Sequence, residues 1–142
     1  MDFLNPSDDR IRAILSNPTI VAVVGCSNDP SRDSLKIAKL LKSKGFHVFP
    51  VNPQLEPGAL LQELGERCYP DLESIPERID IVDVFRRPEH LTDIAEQAAR
   101  KGARVLWAQL GVVNMEAAEY AHRAGMTVVM DRCPAIEYRR LF

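Results

Sequence analysis

The chain has 142 residues, 46% of them hydrophobic and 27% charged, a composition that suits a single domain over residues 1–142 with its own core. The formal net charge of −2 argues against a general role on nucleic acid or at a membrane surface. The sequence shows neither a signal-peptide pattern nor an apolar run of bilayer-spanning length, so we expect a cytoplasmic protein without a nucleic-acid or membrane partner.

In chain order, short apolar strands alternate with helices. Ser7 is placed to cap a first helix, and strands are predicted at 20–24, 47–51, 80–85, 104–108 and 127–130. Helices follow the first, third and fourth of these strands, with Pro88 beginning one helix and Asn114 capping the next. Residues 54–70 are predicted to be an irregular surface loop, and residues 72–75 a short helix.

This alternation predicts βαβ units rather than an antiparallel sheet. Three helices end at a glycine shortly before a strand, at Gly45, Gly102 and Gly125. We therefore predict an α/β, Rossmann-like, three-layer domain with a five-stranded parallel sheet. The predicted strand order is 3-2-1-4-5, which would reverse the winding between the first and fourth strands.

Cysteine and histidine do not form a metal-binding or disulfide pattern. The chain has an odd number of cysteines and no Cys-x-x-Cys pair; the three are Cys26, Cys68 and Cys133. This pattern favours reduced thiols over a disulfide framework or a zinc site. The three histidines are widely separated and show no ligand spacing, so we expect no metal site. Cys26 lies near a helix N-terminus, a position that can lower a thiol pKa, although a packed structural role is the commoner one.

The first loop has the features of a phosphate site. A buried apolar strand ends at Gly25, and a helix is predicted to start at Asp33 or Ser34. Glycine lets the backbone approach an anion, and the first helical turn offers free N–H groups. Ser27 can donate its hydroxyl, and Arg32 can present a planar fork to phosphate oxygens.

The same loop departs from the dinucleotide fingerprint Gly-x-Gly-x-x-Gly. Ser27 and Pro30 occupy its second and third glycine positions, and Asn52 stands where NAD-binding domains place an acidic residue. Both departures argue against NAD. Polar or glycine-containing loops at 52–53, 85–88 and 109–114 follow three other predicted strands and should reach the same sheet edge. Among them, Arg86 and Arg87 are either a solvated pair or contacts to a phosphate or a base.

Five ordered segments carry a resemblance to a known family. They are 24–34, 49–53, 83–88, 107–111 and 129–133, and the likeness extends from about Ile20 to Leu141. The chain resembles the small single-domain CoA-binding proteins of the YccU-like family, which are similar to the CoA-binding domain of the succinyl-CoA synthetase α subunit.

The resemblance implies coenzyme A as the cofactor, bound through its ADP moiety, so that the partner is a small molecule, CoA or an acyl-CoA. It implies that Gly25, Ser27 and Arg32 hold phosphates. It also implies that the adenosine is surrounded by Val51, Asn52, Pro53, Phe85, Arg86 and Pro88, while Gln109 and Gly111 close the pocket. We add Cys26, Ser34 and Arg87, the neighbours of these residues in the same loops, to the candidate set.

Other functions remain open at this level. One is an NAD(H)-binding, redox-sensing domain, and another is an accessory subunit of a CoA-ester enzyme in which Cys26 or a partner chain supplies the reactive group. A purely structural protein is a further alternative. No catalytic residue can be nominated from spacing alone, so we favour binding without catalysis. The apolar edges of the first helix and of residues 138–142 are compatible with a homodimer.

Overall fold

A computed structural model describes residues 5–142 and shows a parallel sheet between two helical layers. The first four residues of the predicted domain lie outside the described part. The elements in order are α1 Asp8–Ser16, β1 Ile20–Val24, α2 Asp33–Ser43, β2 His47–Val51, β3 Leu60–Leu61, β4 Glu66–Arg67, β5 Ile81–Val84, a 3₁₀ turn Pro88–His90, α3 Leu91–Arg100, β6 Val105–Ala108, α4 Met115–Arg123, β7 Thr127–Val129 and α5 Pro134–Leu141.

The sheet separates two hydrophobic clusters because successive side chains of a strand point to opposite faces. Ala22 and Val24 of β1 belong to the cluster that contains the apolar faces of α3 and α4. Val21 and Val23 belong to the other, with α1, α2 and α5. The main strands are buried on both faces, as expected for a parallel sheet covered by helices. The predicted α/β, Rossmann-like class with five parallel strands is confirmed.

The predicted strand order is wrong. The observed order is β2-β1-β5-β6-β7, so the third predicted strand, β5, lies between β1 and β6 instead of outside β2. Pro50 in β2 gives a physical reason, because proline has no N–H for a ladder and is confined to edge strands. β5 carries no proline and is buried along its whole length, which suits an interior strand. The winding therefore reverses between β1 and β5.

Several local predictions can be compared directly with the structure. Ser7 and Asn114 cap α1 and α4 as predicted, accepting from the backbone N–H of Arg10 and Ala117. The loop at 54–70 contains the small antiparallel pair β3 and β4, which the sequence pattern did not reveal. Residues 72–75 form a turn rather than a helix, since Pro76 disfavours helical backbone at the residue before it. Helix α5 was not predicted.

None of the helices within residues 5–142 combines the length and the hydrophobicity needed to cross a membrane.

Candidate functional site

An open cleft lies at the point where the winding of the sheet reverses. The loops after β1 and β5 meet there, beyond the carboxyl ends of their strands, where open α/β sheets bind ligands. The cleft has a volume of about 830 Å³. Its lining is almost entirely polar or charged: Gly25, Ser27, Ser31, Arg32, Asp33, Ser34, Asn52, Gln54, Phe85, Arg86, Arg87 and His90.

Gly25 is required by the close approach of the β1 and β5 loops. Its φ is +87°, in the region that L side chains rarely adopt. A Cβ added there would lie 3.1 Å from the carbonyl carbon and oxygen of Phe85 and 3.2 Å from Cδ of Arg86. The Gly25 N–H also donates to the carbonyl of Val51 at 2.7 Å. A side chain at position 25 would therefore push apart the two loops that form the cleft.

The N-terminus of α2 is oriented toward this cleft without a side-chain cap. Arg32 occupies the N-cap position but makes no capping hydrogen bond. The hydroxyl of Ser34 instead accepts from the N–H of Ser27 at 2.9 Å, which joins the first helical turn to the start of the loop. The uncapped first turn provides N–H groups and the positive end of the helix dipole, the combination that binds phosphate in other proteins.

Short-range hydrogen bonds define the shape of the loop between β1 and α2. The carboxylate of Asp29 accepts from the N–H and the hydroxyl of Ser31, at 2.9 and 2.8 Å, and these bonds lower the pKa of Asp29. The N–H of Asp29 in turn donates to the Ser27 hydroxyl at 3.0 Å. These turns keep the loop compact, so that Ser27, Ser31 and Arg32 all reach the cleft.

Asn52 connects the loops after β1 and β2. Its side-chain amide donates to the carbonyl of Cys26 at 3.0 Å, and its side-chain oxygen accepts from the N–H of Gln54 at 2.9 Å. A carboxylate at position 52 could accept from Gln54 but could not donate to Cys26. Asn52 is therefore explained by loop geometry, and the position lacks the acidic group that recognises the ribose of NAD.

Three arginines of the cleft make no side-chain hydrogen bond or ion pair with another described residue. They are Arg32, Arg86 and Arg87; two arginines on other surfaces, Arg100 and Arg140, are in contrast paired with carboxylates. Asp33 is the acidic residue among the residues that line the cleft. Guanidinium groups bind phosphate oxygens through a planar fork of N–H donors. The cleft is therefore strongly positive and suited to a polyanion.

Cys26 does not have the lowered pKa that its position near α2 suggested. Its side chain is fully buried, and burial, followed by the neighbouring Cys68 and Asp83, raises the pKa to about 12. The thiol is therefore protonated at neutral pH. Burial takes precedence over the helix terminus because the low-dielectric surroundings disfavour the thiolate.

We expect Cys26 to resist alkylation in the folded protein. Iodoacetamide at pH 8 should modify it at least about 100-fold more slowly in the native state than in urea, because both the thiolate and access are lacking. Peptide mapping by mass spectrometry over time measures the two rates. Equal rates in the folded and unfolded protein would contradict the buried, protonated thiol.

The structure separates the candidate residues that line the cleft from those that do not. Those that line the cleft are Gly25, Ser27, Arg32, Ser34, Asn52, Phe85, Arg86 and Arg87. Cys26 and Val51 are buried next to it, and Val51 contributes its carbonyl to the turn at Gly25. Pro53 and Pro88 are neighbours of lining residues but do not line the cleft themselves.

Gln109 and Gly111 are not among the residues that line the cleft. Gln109 is buried and donates from its side-chain amide to Oδ1 of Asp83 at 2.6 Å. The N–H of Gly111 donates to the carboxylate of Asp131 at 2.8 Å. The corrected strand order explains this, because β5 separates β1 from β6 and moves the loop after β6 one strand further from the reversal point.

Sequence reasoning did not nominate four lining residues: Ser31, Asp33, Gln54 and His90. Three of them are directly adjacent to nominated positions, and His90 lies two residues after the nominated Pro88, so a wider window around each loop would have included all four. His90 lies on the 3₁₀ turn that follows Arg87, and this turn brings it back toward the cleft. The feature of the sequence that could have indicated His90 is Pro88, which begins this turn.

Comparison with known proteins assigns the family. A family model described as a CoA binding domain matches residues 19–139. The chain belongs to the CoA-binding domain family. The match covers all five main strands and every loop of the cleft.

Its relatives are of two kinds. The uncharacterized protein YneT of Bacillus subtilis is 40% identical over 129 residues, which are 91% of this chain and 92% of YneT. The alpha subunit of acetate–CoA ligase [ADP-forming] II of Pyrococcus furiosus is 27% identical over 131 residues, covering 84% of this chain but 28% of the subunit. The family domain therefore occurs both as small stand-alone proteins and as part of CoA ligase subunits.

Solved structures give the same division. A hypothetical protein from Pyrococcus horikoshii has a TM-score of 0.87 and 39% identity, with 99% of both chains covered. An acetyl-coenzyme A synthetase from Candidatus Korarchaeum cryptofilum has a TM-score of 0.64 and 25% identity, with 80% of this chain and 26% of the synthetase covered.

Proposed function

We propose that this protein binds coenzyme A or an acyl-CoA through its ADP moiety in the cleft between the β1 and β5 loops. The observation that carries the proposal is the group of Arg32, Arg86 and Arg87, which have no partner among the described residues, beside the uncapped N-terminus of α2. The cleft offers cations and N–H donors for the phosphates of one extended ligand. The family and its relatives among CoA ligases support coenzyme A as that ligand.

Within this proposal the loops have different roles. Ser27, Arg32 and the first turn of α2 hold the diphosphate, because Gly25 lets the backbone come close and the helix dipole favours negative charge. Phe85 and Arg86 line the cleft from the loop after β5, and their aromatic ring and guanidinium plane are the groups that can stack on adenine. Arg87 adds a guanidinium and His90 a ring N–H donor for a further phosphate.

We propose binding without catalysis by this chain alone. Cys26, the nucleophile that the sequence suggested, is buried and has a raised pKa, which supports a structural role. The matched region covers 28% of the acetate–CoA ligase alpha subunit, so the chain corresponds to one part of that larger protein.

The proposal is tested by thermal unfolding with increasing concentrations of CoA, dephospho-CoA, NAD and adenosine. A ligand present at 100 times its dissociation constant should stabilise the native state by about 2.7 kcal/mol. Above its dissociation constant, CoA should raise the unfolding free energy in proportion to the logarithm of its concentration, and calorimetric titration should saturate at one site per chain. Stabilisation by NAD without any by CoA would overturn the proposal.

We expect Arg86→Gln to weaken CoA binding by at least about tenfold, equivalent to ~1.4 kcal/mol. The change removes a guanidinium from the cleft, and with it either a charge-assisted hydrogen bond to a phosphate or a contact with the base. Arg139→Gln is the matched control, because Arg139 is exposed and lies outside the cleft. Calorimetric titration of both variants measures the effect, and equal affinities would remove Arg86 from the site.

A further inference from the structure

A second cleft lies at the opposite edge of the sheet. Its volume is about 540 Å³, and it is formed where β1, β5, β6 and β7 begin, with α1 along one side. Its polar lining includes Arg10, Arg104, Thr19, Thr127 and Asp80. This edge is remote from the CoA cleft because parallel strands place their amino ends on one side of a sheet and their carboxyl ends on the other.

The two arginines of this cleft differ in how they are held. Arg10, on α1, donates from Nη2 to the hydroxyl of Thr127 at 2.6 Å, which fixes its guanidinium against the start of β7. Arg104 has a fixed backbone, since its N–H donates to the carbonyl of Asp80 at 2.8 Å and its carbonyl accepts from Thr127 at 2.9 Å. Its exposed side chain has no hydrogen bond or ion pair with any other residue in the 5–142 range.

Thr19 supplies an independent observation. Its carbonyl accepts from the N–H of His47 at 3.0 Å, but its hydroxyl oxygen is buried without a hydrogen-bond partner in the described chain. Buried hydroxyl groups normally have a partner. Thr19 is itself a lining residue, so this hydroxyl without a partner belongs to the wall of the cleft.

The carboxylate of Asp80 is the negative group of the cleft, and it is already engaged. Its Oδ2 accepts from the N–H of Ile20 at 3.2 Å, and its Oδ1 is 3.9 Å from Nε of Arg78. Two guanidinium groups against one engaged carboxylate leave the lining with a net positive charge. The arrangement therefore fits an anion of small size rather than a cation.

We propose that this cleft is a second binding site, for a small ligand that carries an oxyanion, either a phosphate or a carboxylate. Arg104 and the guanidinium of Arg10 bind the anion, and the Thr19 hydroxyl gains the partner that it lacks. The proposal stands independently of CoA binding, because it depends on residues at the other edge of the sheet.

The test is a titration of the full chain, followed by two-dimensional ¹H–¹⁵N NMR, with inorganic phosphate and separately with acetate at constant ionic strength. Saturable shifts of the backbone amides of Thr19, Gly125 and Thr127 are expected. Saturation with phosphate alone assigns a phosphate site, and saturation with acetate assigns a carboxylate site. Shifts at the CoA cleft are resolved separately because each amide has its own signal.

Arg104→Gln should lower the affinity for the anion, measured from the shifts of these amides, at least about tenfold. Thr19→Val should lower this affinity to a smaller extent. Arg139→Gln is the control, since it removes an exposed arginine from another surface, and it should titrate like the wild type. If Arg104→Gln does not fold, Arg10→Gln serves in its place. Linear, unsaturated shifts with both anions, or an unchanged affinity in the folded arginine variant, would overturn the proposal.

Discussion

The Asp83→Asn variant is expected to keep its stability between pH 4 and pH 7, where the wild type loses about 4 kcal/mol through this one group. Asp83 lies in the middle of β5 and is almost completely buried. Burial raises its pKa to about 7, and the hydrogen bond from Gln109, which acts in the opposite direction, does not compensate. Its Oδ2 has no partner in the described chain.

The direction in which the unfolding free energy changes with pH follows from the number of protons bound in the folded and unfolded states. Between about pH 4 and pH 7 the folded state retains the Asp83 proton, whereas the unfolded chain has already released it. The unfolding free energy therefore falls as the pH rises through this range and becomes constant with respect to this group above it. Asparagine cannot ionise, and Gln109 can present either its NH₂ or its carbonyl to it.

Urea unfolding of the two proteins at several pH values measures this difference. Asp93→Asn is the control for removal of a carboxylate, because Asp93 lies on the exposed side of α3. The stability of the wild type minus that of Asp83→Asn should decrease steadily from pH 4 to pH 7. If the unfolding free energies of the wild type and of Asp83→Asn change in parallel with pH, Asp83 is not protonated in the folded state.

The Gly25→Ala variant is expected to lose about 2–3 kcal/mol of stability and to bind CoA at least tenfold more weakly. A positive φ is unfavourable for alanine, and the new Cβ would meet the backbone of Phe85 at 3.1 Å. Relief of that contact requires the β1 and β5 loops to separate, which changes the shape of the cleft. The effect on affinity therefore comes from geometry rather than from a lost contact.

The Gly102→Ala variant separates the effect of the positive φ from the effect of the close contact with Phe85. Gly102 has a φ of +74° but nothing within 4 Å of an added Cβ, and it lies away from the cleft. We expect this control to lose about 1–2 kcal/mol from backbone strain alone and to bind CoA like the wild type. Denaturant unfolding and calorimetric titration measure both quantities, and wild-type affinity in Gly25→Ala would contradict the close approach at the cleft.

Much of the candidate site could be predicted from the loops because it is built from short-range features. Gly25, Ser27, Arg32 and Ser34 all lie between the end of β1 and the first turn of α2, and the strand, glycine and helix pattern places them together. His90 was missed because a 3₁₀ turn, and not sequence proximity to the loop after β1, brings it to the cleft.

The sequence by itself determined the alternation of strands and helices, the parallel sheet and the polar loops that follow its strands. Hydrophobic periodicity, caps and helix-ending glycines act over a few residues, so they can be read directly. Strand order depends on which strand pairs with which across long separations, and only the tertiary structure decided that β5 lies beside β1. That pairing brings Phe85, Arg86 and Arg87 to the loop at Gly25, and it places Gln109 in a buried pair with Asp83 instead of in the cleft.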